Sequence, residues 1–188
     1  MARWDSRGGW RDDLPRLAGS APYLSWLREP GSLTARLKAS CREFSVHCLR
    51  QVQQPAGRDE GVFLGLRPGS RVWVREVLLC CDDVPVVFAH TVMARRPRHP
   101  FDLRFGALGE RSLGSLLFSD PRIVRGRLQF RHLDARHPMF RSAVAALSDA
   151  PSSLWARRSG FGCGAKTVLV NEVFLPALLH LRPTSGRS

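Results

Sequence analysis

A chain of 188 residues fits a single domain of ordinary size, and a composition 44% hydrophobic and 24% charged can bury a core, which excludes a disordered tail. The formal net charge is +13, and all but Lys38 and Lys166 of the 29 cations are arginines. That balance suits either a polyanion-binding surface or an arginine-rich solvated shell. The arginines run from Arg3 to Arg187 without a block, densest at Arg95-Arg96-Arg98 and Arg122-Arg125-Arg127. The aromatics sit inside apolar runs, and no helix-turn-helix, RNP or zinc-finger pattern occurs, so a nucleic-acid partner is not expected.

Residues 1–21 are polar and rich in Gly and Arg, and read as a flexible basic lead-in without the apolar stretch of a leader peptide. Tyr23, Leu24 and Leu27 then share one face of a helix that Pro30-Gly31 breaks. Ser32 is placed to cap a second short helix, SLTARLKA. In REFSVHCLR the period becomes two, with Phe44, Val46 and Cys48 alternating with polar residues, which predicts a strand. The polar segment QVQQPAGRDEG reads as a loop up to the turn Arg67-Pro68-Gly69-Ser70.

RVWVREVLLC (71–80) and PVVFAHTVM (85–93) form the clearest hairpin, turning at Cys81-Asp82-Asp83. After a Pro/Arg-rich stretch at 94–104, Leu113, Leu116 and Leu117 mark a short helix. GRLQFRHL (126–133) predicts a strand and HPMFRSAVAALS (137–148) a helix with Pro138 in its first turn. LWARRSGF (154–161) and KTVLVNEVFLP (166–176) close the fold as a second antiparallel pair. Hairpin-connected strands outnumbering helices give the α+β class: one antiparallel sheet of about six strands covered by helices. The domain spans 22–178, and 179–188 is expected to be a flexible tail.

Two charges interrupt apolar strand faces. Arg75 shares its face with Trp73, Val77 and Leu79, while Val72, Val74, Glu76, Leu78 and Cys80 lie on the other. A guanidinium among such neighbours is costly to desolvate unless an anion partners it, either an internal carboxylate or one on a ligand. Glu172 sits likewise among Val168, Val170 and Phe174, as a buried acid or base or as the partner of an arginine. An Arg75–Glu172 salt bridge is the structural alternative to a polar pocket within the sheet.

Other signals fail. Gly160-Phe161-Gly162-Cys163-Gly164-Ala165-Lys166-Thr167 resembles a P-loop, but Ala165 occupies a required glycine and a β-branched strand follows where phosphate needs a helix. His47, His90, His99, His132, His137 and His180 have no metal-ligand spacing. His90 reads as a hydrogen-bonded core residue that could reach a pocket. Cys41, Cys48, Cys80, Cys81 and Cys163 make no C-x-x-C pair, and a Gly-x-Ser-x-Gly elbow is absent. Reduced thiols and the lack of an apolar run near ~18 residues give the expectation of a cytoplasmic chain without membrane insertion.

The blocks Trp73 to Cys80, Leu113-Gly114 with Leu117-Phe118, Arg157-Arg158-Ser159, and Asn171 to Pro176 together resemble the chorismate pyruvate-lyase family of bacterial ubiquinone biosynthesis, over about residues 22–178. A weaker resemblance is to effector-binding domains of transcription regulators of the same fold. The resemblance implies helices closing an internal pocket and cofactor-free conversion of chorismate to 4-hydroxybenzoate and pyruvate. It places the family's arginine at Arg75 and glutamate at Glu172, as catalytic and substrate-binding residues, and its backbone contacts at Leu33 and Leu113. It also implies flaps around 28–38 and 106–118, with substrate and product as partners, and the chain is expected to be a monomer. Leu33 stands where the family's pattern has methionine, and 135–151 looks longer than that pattern.

Overall fold

The structure is a computed structural model that describes residues 9–13, 20–95, 100–118, 121–145, 147–163 and 166–181. Its frame is a seven-stranded antiparallel sheet of β1 (Phe44–Pro55), β2 (Arg71–Cys81), β3 (Val84–Ala94), β4 (Val124–Arg125), β5 (Gln129–Asp134), β6 (Ser153–Cys163) and β7 (Lys166–Phe174). The order is β1-β2-β3-β7-β6-β4, with β5 also paired to β6. The chain is therefore a single α+β domain, as its hairpin pattern predicts.

The β2–β3 hairpin turns on Asp82 and Asp83, whose φ angles of 49° and 63° match the right-handed twist of the strands they join. Asp82 also accepts from the amides of Arg42 and Glu43 through Oδ1, at 3.1 and 2.9 Å, fixing the start of β1 beside the turn.

Four elements depart from the expected pattern. β1 continues through Gln51–Gln54 to Pro55, because an edge strand gains ladder bonds from β2 without needing alternating apolar residues. A helix, α3 (Arg58–Phe63), follows it, begun by the Glu60 carboxylate accepting from the Gly57 amide at 2.9 Å. Another, α4 (Pro100–Gly106), lies in the Pro/Arg-rich stretch. The seventh strand is the two-residue β4, too short to carry a period.

The remaining α-helices among the described residues are α1 (Leu24–Leu27), α2 (Leu33–Lys38), α5 (Leu113–Phe118) and α6 (Pro138–Val144). Trp26 and Leu27 of α1 and Leu33 and Leu37 of α2 pack with Val77, Leu79, Trp155 and Phe174 on one sheet face. Phe105, Leu113 and Leu117 pack with Met93, Phe161 and Val168 on the same face. The opposite face is covered by α6, through Phe140 and Ala143, and by Phe63 of α3. α6 ends at Val144, short of the predicted 148, and His137 caps it by accepting from the Met139 amide at 3.2 Å. That role needs an unprotonated nitrogen, and burial, with the charge of Arg131, pushes the His137 pKa down to about 4.

His90 lies on this opposite face, away from Arg75. Its Nδ1 is 2.9 Å from Glu76 Oε1 and its Nε2 is 2.7 Å from Glu60 Oε1. The buried Arg158 donates to Asp59 Oδ2 at 2.6 Å, between the rings of Trp10 and Phe63. Trp10 is itself buried, and Arg11 bridges Phe130. Residues 1–8 and 14–19 of the expected lead-in, and 182–188 of the expected tail, lie outside the described residues.

Candidate active site

Between the first sheet face and its helices lies a cavity whose floor is Arg75, Val77, Ala89, Thr91, Val170 and Glu172. Period-two alternation in β2, β3 and β7, with Arg75 opposite Thr91 and Ala89 opposite Glu172, brings these side chains to one surface. Leu33 and Thr34 of α2, with Leu113, Gly114 and Leu117 of α5, form the roof. The four residues singled out in the sequence, Leu33, Arg75, Leu113 and Glu172, all line this one cavity.

Arg75 is 2% exposed. Its Nη2 donates to the carbonyls of Gly109 and Arg111, at 2.8 and 3.0 Å, while its Nε has no hydrogen-bond partner among the described residues. Burial pulls its pKa down from the ordinary guanidinium value, as expected where water has been removed from the charge. A carboxylate at Nε would supply the missing acceptor and a compensating charge.

The Arg75–Glu172 salt bridge left open by the sequence does not form. Glu172 pairs instead with Arg157, the residue opposite it in β6, at 2.6 Å from Nε to Oε2. Sequence reasoning passed over Arg157 as a site residue although it shares its strand face with Trp155, Ser159 and Phe161. The rule that isolated Arg75 would have found it.

Leu33 and Leu113 are the first residues of α2 and α5, so their amides have no partner within their own helices. Ser32 caps α2 by accepting from the Ala35 amide at 3.2 Å, as the sequence predicts. The two roof helices meet where Ser112 Oγ donates to Thr34 Oγ1 at 3.2 Å. A Cβ on Gly114 would come within 3.0 Å of that Thr34 oxygen, so glycine permits this close approach. Among the described residues no group of three or more His, Cys, Asp or Glu is placed to hold a metal ion. Nor, among them, is any helix long and apolar enough to cross a membrane.

A family model described as chorismate lyase matches residues 7–183. The chain belongs to that family. Membership places it among the carbon–oxygen lyases. A probable chorismate pyruvate-lyase of Dechloromonas aromatica is 47% identical over 179 residues, covering 94% of this chain and 99% of the relative. One from Aromatoleum aromaticum is 46% identical over 174 residues, covering 92% and 94%. Among solved structures, PhnF from Mycobacterium smegmatis superposes with a TM-score of 0.57 at 21% identity, covering 79% of this chain and 65% of that one. That likeness is one of fold.

Proposed function

We propose that this chain is a chorismate pyruvate-lyase that makes 4-hydroxybenzoate and pyruvate from chorismate without a cofactor, as the first committed step of ubiquinone biosynthesis. The observation that carries the reading is the buried Arg75 guanidinium, its Nε unbonded, opening on the same cavity as a glutamate already held by Arg157. The enzyme works as a cytoplasmic monomer, and its arginine-rich surface serves solubility rather than nucleic-acid binding.

Arg75 receives the ring carboxylate of chorismate through its unpartnered Nε–H, while the two carbonyls on Nη2 hold the guanidinium plane fixed. The amides of Leu33 and Leu113 add neutral donors from the roof. At the far end of the ring Glu172 accepts from the C4 hydroxyl and sets the angle of the enolpyruvyl ether at C3. Breaking the C3–O bond and losing the C4 hydrogen aromatises the ring. The methylene carbon of the departing enolpyruvate gains one hydrogen and becomes the methyl of pyruvate. Aromatisation supplies the driving force, so the protein's part is to orient the ether and exclude water. The α2 and α5 segments close over the ring and make product release slow.

The test is to mix the purified chain with chorismate and follow both products. One 4-hydroxybenzoate and one pyruvate per chorismate consumed is the expected result. Binding of 4-hydroxybenzoate with no turnover would instead mark an aromatic-acid sensor on this fold and overturn the reading.

A further inference from the structure

Glu172 is backed by two arginines that converge on a single loop. Arg157 is fully buried, and besides Glu172 it serves three backbone carbonyls through Nη1: Trp26 at 3.0 Å, Leu27 at 3.3 Å and Glu29 at 2.8 Å. Arg125, in β4, donates from Nε to Ser159 Oγ at 2.9 Å and from Nη1 to the carbonyls of Pro30 and Gly31 at 3.0 and 2.9 Å. Burial pulls the Arg125 pKa down, while the negative charge of Glu172 pushes it back up. Two guanidinium groups beside one carboxylate thus hold five carbonyls between Trp26 and Gly31.

That loop pairs with no strand among the described residues, and of its carbonyls that of Trp26 also accepts from the Glu29 amide, at 3.3 Å. Its next residue, Ser32, caps α2, whose first residue is Leu33 in the cavity roof. The arginines therefore connect a floor carboxylate to the root of a roof helix. Neither is among the residues that line the cavity, which their neighbours Glu172 and Leu33 do, so their effect on a bound molecule passes through Glu172 and α2.

We propose that Arg157 and Arg125 are positioning residues: Arg157 aims the Glu172 carboxylate into the cavity, and the pair anchors the hinge on which α2 opens and closes. The proposal deepens the lyase reading and rests on it for the identity of the ligand. Its mechanical part concerns the ligand-free chain alone. A charge-assisted hydrogen bond is worth more than a neutral one, so losing the set at either arginine loosens the loop measurably.

The experiment compares wild type with Arg125→Met, Arg125→Lys and Arg157→Lys. Amide hydrogen exchange over residues 29–38, 4-hydroxybenzoate dissociation and the single-turnover rate with chorismate are measured on each. Arg125→Met is expected to speed exchange over 29–38 and product dissociation about tenfold, with Arg125→Lys recovering most of both. Arg157→Lys, which keeps the charge but loses the fork, is expected to slow the single turnover about tenfold and to speed the same exchange. Unchanged exchange over 29–38 in all variants overturns the proposal whether or not wild type turns over chorismate. Wild type inert towards chorismate, with exchange still accelerated in the variants, overturns the lyase reading and supports the anchor.

Discussion

Arg157 and Glu172 face each other across β6 and β7 at paired positions, joined by a 2.6 Å bond from Nε to Oε2. The carboxylate is thus an oriented acceptor before any ligand arrives. Glu172→Gln keeps an acceptor oxygen but gives up the charge facing Arg157. It is expected to lower kcat roughly 10²-fold, and Glu172→Ala further, by analogy with loss of one preorganised polar group. Either change leaves a buried guanidinium without its counter-ion, and urea unfolding is expected to show a loss of about 3 kcal/mol.

Arg75 is expected to dominate substrate capture. Arg75→Ala removes the charge and the Nε donor that receive the ring carboxylate and raises KM strongly, costing on the order of 2–5 kcal/mol in kcat/KM. Arg75→Lys keeps the charge without the fixed planar donor and falls between wild type and the alanine variant. Steady-state kinetics on the three proteins decides, and equal KM values would remove Arg75 from this role.

At Gly114 the roof helices touch. Gly114→Val places branched carbon against Thr34 Oγ1, which a Cβ alone would approach to 3.0 Å. The collision parts α2 from α5, and 4-hydroxybenzoate is expected to dissociate about tenfold faster, as for a lid held ajar. Stopped-flow displacement measures this directly, and an unchanged rate would show that the roof does not limit release.

His90 gives the fold a dependence on pH. Burial opposes its charge, but the bonds to Glu60 and Glu76 prevail and raise its pKa from 6.5 to about 9. A histidine that binds its proton more tightly when folded stabilises the protein fully below the unfolded value of 6.5, and loses that contribution as pH climbs through about 9. Unfolding free energy is expected to fall by about 3 kcal/mol more in wild type than in His90→Gln between about pH 6 and about pH 10. Parallel pH profiles for the two proteins would contradict the assignment.

Much of the fold is legible in the sequence because its central strands are buried on at least one face. The β2–β3 hairpin announces itself through β-branched runs and turn residues, β7 through its own β-branched run, and Ser32 through its capping position. The edge was harder to read. Gln51–Gln54 gain their strand geometry from ladder bonds to β2, and α3 owes its start to one glutamate, neither of which leaves a periodic trace.

The candidate site divides in the same way. Arg75 and Glu172 stand out as charges on apolar faces, and the structure opens both on one cavity. Arg157 carried the same signature within LWARRSGF. Arg125 had none: it belongs to a two-residue strand in an arginine-rich stretch, and only the tertiary fold sets it beside Ser159 and the Pro30–Gly31 carbonyls.

The most direct test of the central claim is a crystal structure of the full chain with 4-hydroxybenzoate bound. The ring should lie between the sheet and the α2–α5 roof, its carboxylate on Arg75 and its hydroxyl on Glu172. A ring bound elsewhere, or reversed with its carboxylate towards Glu172, would contradict the account.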